Sequence, residues 1–140
     1  MRPTTGLIAL SGFFSLGAVI AAITCIALLV PGGILDPIWR LNPEAHRVFV
    51  RMGFWAAALM FAVAGACAFS ARGLWIRARW GHRLALAVLV LNLVGNVTNA
   101  LIRGDLRTVI GLPIGGALIA YLLSAGVRGQ FTATKAEQFR

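Results

Sequence analysis

The run from Leu7 to Val30 carries no charge. An α-helix rises ~1.5 Å per residue and about 20 residues cross the ~30 Å hydrocarbon layer of a bilayer, so this run alone is long enough to span a membrane. Three more such runs follow: Val48 to Ala71, interrupted only by Arg51 near its start, Leu84 to Ile102, and Val109 to Gly126. The third reaches spanning length with Gly81 to Arg83 added, and the fourth with a helix capped by Asp105 and beginning at Leu106. The pattern predicts an all-α integral membrane four-helix bundle, up-down-up-down, with spans at 7–30, 43–71, 81–102 and 106–126. These form one transmembrane domain, 1–128, followed by a polar cytoplasmic tail at 129–140.

The first run has the position of a secretory signal, but it outruns the ~15-residue apolar core of one and ends in Pro31-Gly32-Gly33 without a small-x-small cleavage site. It reads as a retained helix. Composition agrees, with 59% hydrophobic residues and a mean hydropathy of +0.85, more than a soluble core consumes. A net charge of +9 in a soluble chain would suggest nucleic acid. Here the bases sit in the short segments between apolar runs, as membrane loops require, so nucleic acid is not an expected partner.

Those bases set the orientation, because basic loops stay on the cytoplasmic side. Arg72, Arg77, Arg79 and Arg83 in the second loop join Arg2, Arg128, Lys135 and Arg140 of the tails on one side. Arg40, Arg47, Arg51, Arg103 and Arg107 lie on the other. Both termini are expected to be cytoplasmic, with Trp75 and Trp80 at the inner boundary and Trp39 at the outer one. Lys135 is the only lysine, an arginine bias that suggests a bacterial origin and hence the inner membrane.

In the first loop, Asn42-Pro43-Glu44 reads as an N-cap, a proline in the first helical position and an acid in the first turn. The second helix is expected to start at Pro43, lifting His46 and Arg47 above the membrane, with Ile38, Trp39 and Leu41 along the interface and Arg51 snorkelling outward. The loop Arg103 to Thr108 is so short that the last two spans must be antiparallel neighbours.

The sharpest feature lies in the third span. Asn92, Asn96, Asn99 and Arg103 are spaced by helical turns and share one face, from mid-bilayer to the outer surface. Amides need partners in hydrocarbon, so the stripe must face other helices or a wet cleft. Interhelical hydrogen bonding and an outward-facing vestibule for a small solute, lipid headgroup or quinone-like molecule both satisfy that demand. In the fourth span, Pro113 among Gly111, Gly115 and Gly116 predicts a kink and close helix packing. Further small-residue rows, Ser11, Ser15, Ala18, Ala22 and Cys25 in the first span and Ala58, Ala62 and Gly65 in the second, are candidate contact faces.

The rest excludes chemistry. Cys25 falls near the outer end of its span and Cys67 near the inner end of the next, about 20 Å apart in depth where a disulfide needs ~6 Å. His46 and His82 fall on opposite sides and none of the four apolar runs contains His, Asp or Glu, so neither haem nor metal nor acid-base catalysis has its ligands, and no cofactor is expected. The second loop, with Arg72, Trp75, Arg77, Arg79, Trp80 and Arg83, suits anionic lipid headgroups.

From Trp75 to Arg128, the motifs Arg79-Trp80-Gly81, Asn92, Asn96, Asn99, Arg103-Gly104-Asp105 and Gly111-Leu-Pro-Ile-Gly-Gly-Ala resemble those of small bacterial four-helix membrane proteins of unknown function. That resemblance implies topology and no activity. The leading expectation is a non-enzymatic protein, an accessory subunit of a larger membrane complex or a homo-oligomer, in contact with lipid and with other subunits or itself. The alternative is a binder or carrier of a small solute, lipid or quinone-like molecule in a polar cleft lined by the third span.

Overall fold

A computed structural model describes residues 4–104 and 106–137, with side chains for 4–104 and 109–131. All of its regular structure is helical: α1 (Thr5–Leu29), a 3-10 turn (Asp36–Arg40), α2 (Pro43–Met52), α3 (Phe54–Trp75), α4 (Arg79–Arg103), α5 (Leu106–Leu123) and α6 (Ala125–Glu137). Three helices, α1, α3 and α4, are long and apolar enough to cross a membrane. The bent pair α5 and α6 supplies a fourth crossing if its two parts are taken as one span.

The expected helix over 43–71 is two helices. α2 starts as read, with Pro43 in its first turn and the Asn42 side chain accepting the Ala45 N–H at 3.1 Å. It stops at Gly53, whose φ of 57° and ψ of −132° break the helix in a conformation that only glycine adopts readily. α2 is amphipathic and folds over the 3-10 turn, stacking His46 on Trp39 at 4.6 Å and setting Phe49 edge-on to the same indole at 6.1 Å. Trp39, expected at an open interface, is buried beneath it, and Arg51 is exposed.

α1 and α3 run antiparallel in a register fixed by polar contacts. The Ser11 hydroxyl donates to the Ala71 carbonyl at 2.9 Å, and the Cys25 thiol contacts the Ala57 carbonyl at 3.3 Å. The buried residues of α3 are Ala56, Ala57, Cys67, Ser70, Ala71, Gly73 and Leu74. Ala62 is instead exposed and Gly65 faces open space, as do Ser15 and Ala22 of α1. Small residues alone do not mark the contact face, because in a lipid solvent both faces are apolar.

α3 ends in a Schellman turn: the Ala78 N–H reaches the Gly73 carbonyl at 2.8 Å and the Arg77 N–H the Leu74 carbonyl at 3.2 Å. Arg77 takes the left-handed position, φ 54°, usually held by glycine. The sharp bend in the last span, 57°, falls between α5 and α6 at Ser124, whereas α5 continues as one helix through Pro113. Past that bend the segment read as a polar tail is helical as far as Glu137, the last described residue, and Val127 and Phe131 are buried.

The core is concentrated at the α6 end. It unites Leu7, Leu10 and Phe14 of α1, Cys67, Ala71 and Leu74 of α3, Ala85 and Leu89 of α4, Leu122 of α5, and Val127 and Phe131 of α6. Along α4 the buried residues are Gly81, Ala85 and Leu89, and none lies beyond. The same face continues at helical spacing as Asn92, Asn96, Asn99 and Arg103. A face that seals the core at one end thus lines an opening at the other.

Candidate functional site

That opening has two chambers. The outer one, a vestibule of 670 Å³, is bounded by the start of α2 with Glu44, Arg47 and Phe49, and by Asn96, Asn99 and Arg103 of α4. The Asn42 cap and the stack on Trp39 hold α2 over it. The inner one, a cleft of 390 Å³, lies among α1, α3, α4 and α5. Its walls are mainly apolar, including Phe13, Phe14, Met60, Val63, Leu93 and Leu118, with Asn92, Asn96 and Thr24 as polar members. Asn96 and Gly111 line both chambers and so form their junction.

The junction is built by close approach of α4 and α5. A Cβ on Gly111 would sit 3.4 Å from Asn96 Nδ2, and one on Gly115 would sit 3.3 Å from Leu93 Cδ1. Gly111 and Gly115 therefore lie where the two helices meet, while Gly116 faces open space. Within the stripe, Asn96 Nδ2 donates to Asn92 Oδ1 at 3.0 Å. Each amide carries two N–H donors and a carbonyl acceptor, so one such bond leaves both with capacity for a molecule in the cleft. Thr24 and Thr98 hydroxyls instead bond back to Ile20 and Val94 carbonyls one turn away, the usual way a membrane helix satisfies a hydroxyl. Asn92, Asn96, Asn99 and Arg103 thus come together on one wall, joined by residues the sequence reading did not select, Glu44, Arg47 and Phe49. The N-cap signal at Asn42 places α2, but the fold-back that brings it over α4 depends on the conformation of Gly53.

A second group forms at the opposite end. Arg79, His82 and Arg83 from the first two turns of α4 meet Arg128 and Phe131 of α6 around a pocket of 160 Å³. Arg79 Nε donates to the Phe131 carbonyl at 3.2 Å, and His82 lies 2.8 Å from the Leu122 carbonyl through Nε2, which must carry the proton because a carbonyl only accepts. The His82 and Phe131 rings are 4.8 Å apart. Of the expected headgroup contacts, Arg79 and Arg83 enter this pocket. Arg72 and Trp75 occupy the last turn of α3, Arg77 the Schellman turn, and Trp80 covers Gly73. The signal for the missed partners was the four-residue spacing of Val127 and Phe131, the one apolar pair in an otherwise polar segment.

Among the described residues no three of His, Cys, Asp and Glu gather where a metal ion could be held. Cys25 and Cys67 are both buried and unpaired, Cys67 lying against Gly17. Comparison of the chain with protein-family models, with curated proteins and with solved structures finds no match.

Proposed function

We propose that this chain is a non-enzymatic inner-membrane protein that holds a small amphipathic molecule, of the lipid or quinone class, in the opening between its helices. In this reading the fourth crossing is α5 with the start of α6, the bundle runs up-down-up-down, and both termini are cytoplasmic. The vestibule then faces outward and the arginine pocket inward.

One observation carries the proposal: a polar chamber with Arg47, Asn99 and Arg103 opens, through Asn96 and Gly111, into an apolar chamber among four helices. A molecule with a polar head and an apolar body matches both solvents at once. A head alone would leave the inner walls bare, and a hydrocarbon alone would desolvate the amides without bonding them.

The test uses the Cys25→Ala/Cys67→Ala protein with a single cysteine at Asn96 or Asn99. A water-soluble maleimide added from outside is expected to label both, and decylubiquinone or lysophosphatidylcholine to slow the labelling at Asn96 most. Cysteines at both positions that resist the reagent would rule the vestibule out.

The accessory-subunit reading stands second. It is supported by the cleft's apolar wall, where Phe13, Ile20 and Ile114 are exposed and could be covered by a partner's helix. Purification in mild detergent tests it: a monomer with no co-purifying protein speaks against it and leaves the amphiphile reading standing.

A further inference from the structure

The outer vestibule carries both signs of charge. Glu44 and Arg47 stand three residues apart on α2 and so share a face, and Arg103, at the end of α4, lines the same chamber. A ligand of one sign is attracted by part of this wall and repelled by the rest. A quinone head, being neutral, engages neither. A zwitterion meets both, its cation at the Glu44 carboxylate and its anion at a guanidinium, whose planar fork matches a pair of phosphate oxygens.

The walls also select the kind of cation. A quaternary ammonium has no N–H to donate and is held by a cage of aromatic faces. Among the described residues the chamber has a single aromatic ring, that of Phe49, while Trp39 is engaged in the stack with His46. A primary ammonium instead donates up to three N–H bonds, which carboxylate oxygens accept.

The same molecule continues inward. Asn96 lies two helical turns before Arg103, about 10 Å deeper along α4. Its Nδ2 gives one N–H to Asn92 Oδ1, leaving a second with capacity for an ester carbonyl, which only accepts. Beyond Asn96 the walls turn apolar, with Phe13, Met60, Val63 and Leu118, as an acyl chain requires. Charged groups, amide and apolar walls thus follow one another in the order in which a glycerophospholipid presents head, ester and chain.

We propose that the occupant of the two chambers is a phospholipid whose head joins a phosphate to a primary ammonium, as in phosphatidylethanolamine. Glu44 accepts from the ammonium, Arg47 and Arg103 donate to the phosphate, and one acyl chain passes Asn96 and Gly111 into the cleft. This rests on the amphiphile reading of the same opening and selects among its candidates. No covalent bond is made or broken.

The test uses the Cys25→Ala/Cys67→Ala protein with a single cysteine at Asn99, which leaves the Asn96 amide intact. In mild detergent, labelling by an uncharged, water-soluble maleimide is followed against lysophosphatidylethanolamine, lysophosphatidylcholine and lysophosphatidylglycerol of one chain length. Half-protection by the ethanolamine lipid is expected at a concentration about two- to fivefold below either of the others, the scale of one partly solvated ion pair. Glu44→Gln should erase the advantage over the choline lipid and improve the glycerol lipid, and Arg47→Gln should weaken all three. Where either variant fails to fold, the ranking of the three lipids on the parent decides alone. Free phosphoethanolamine, the same head without a chain, is expected to protect at least roughly tenfold less well, since burying even two methylenes amounts to that factor. Protection by decylubiquinone and by none of the lysolipids overturns the proposal and leaves the amphiphile reading standing, whereas protection by no amphiphile overturns both. Equal protection by the three lysolipids, an ethanolamine advantage that survives Glu44→Gln, or free phosphoethanolamine acting as well as the lipid also overturns it.

Discussion

Gly73 of α3 and Gly81 of α4 face each other so closely that a methyl group on either would overlap the backbone of the other. The contact sits where the α3–α4 turn closes, with Trp80 packed over it, and both glycines are buried. Backbone against backbone leaves nothing flexible to yield. Gly73→Ala and Gly81→Ala are therefore each expected to destabilise the fold by about 1–3 kcal/mol, the range for overpacking a tight contact. Gly12→Ala, at a position facing open space, should be neutral or slightly stabilising through helix propensity. Unfolding in a detergent titration measures all three.

Gly53 is the second backbone constraint. Its dihedral angles are closed to residues with a Cβ at a cost of about 1–3 kcal/mol, and the chain on either side is already helical. Gly53→Ala should favour one continuous helix from α2 into α3, lifting α2 off Trp39. A spin-label distance between α2 and the α4 position Ile102 is expected to lengthen and broaden in the variant. An unchanged distance distribution would refute the role of Gly53.

These three glycines bear on what was legible in the chain. The long uncharged runs marked α1 and α4 to within a few residues and the body of α3 without its start, because span length is dictated by bilayer thickness and charge exclusion. The amide stripe was also readable, since helical spacing puts Asn92, Asn96, Asn99 and Arg103 on one face whatever they pack against. What faces that stripe was not, for it depends on a left-handed glycine inside an apolar run. The hydropathy of Val48 to Ala71 is unbroken there, so no composition signal marks Gly53. The end of the last span was hidden for a related reason. Pro113 drew attention as a breaker, yet α5 passes through it, and the bend comes at Ser124 where no proline stands.

The register of α1 against α3 can be read by chemistry. A Cβ at Gly17 would lie 3.6 Å from the Cys67 sulfur, close to disulfide geometry. In a Cys25→Ala background, Gly17→Cys should therefore cross-link to Cys67 under mild oxidant, and Gly12→Cys, which faces open space, should not. Faster migration on a non-reducing gel, reversed by reductant, reports the link. A cross-link from position 12 in preference to 17 would mean that the two helices are paired in a different register.

The junction of the two chambers makes the sharpest functional prediction. Gly111→Ala adds a methyl at an ordinary contact distance, 3.4 Å from the Asn96 amide, so the fold should tolerate it. Gly111→Leu fills the passage that Asn96 and Gly111 share. With a reporter cysteine at Asn99 in the vestibule or at Asn92 in the cleft, the leucine variant is expected to leave labelling at position 99 within about twofold of the parent and to cut labelling at position 92 by a polar reagent at least roughly tenfold, a barrier change of ~1.4 kcal/mol. Binding of decylubiquinone, followed by its protection of the reporter at 92, should fall in step. Because the polar head still finds Arg47, Asn99 and Arg103, a short-chain polar solute would keep its access to the vestibule. Equal labelling at position 92 in parent and variant would show that the cleft is reached from the lipid side through the gap between α1 and α5, and that the passage at Gly111 is not its entrance.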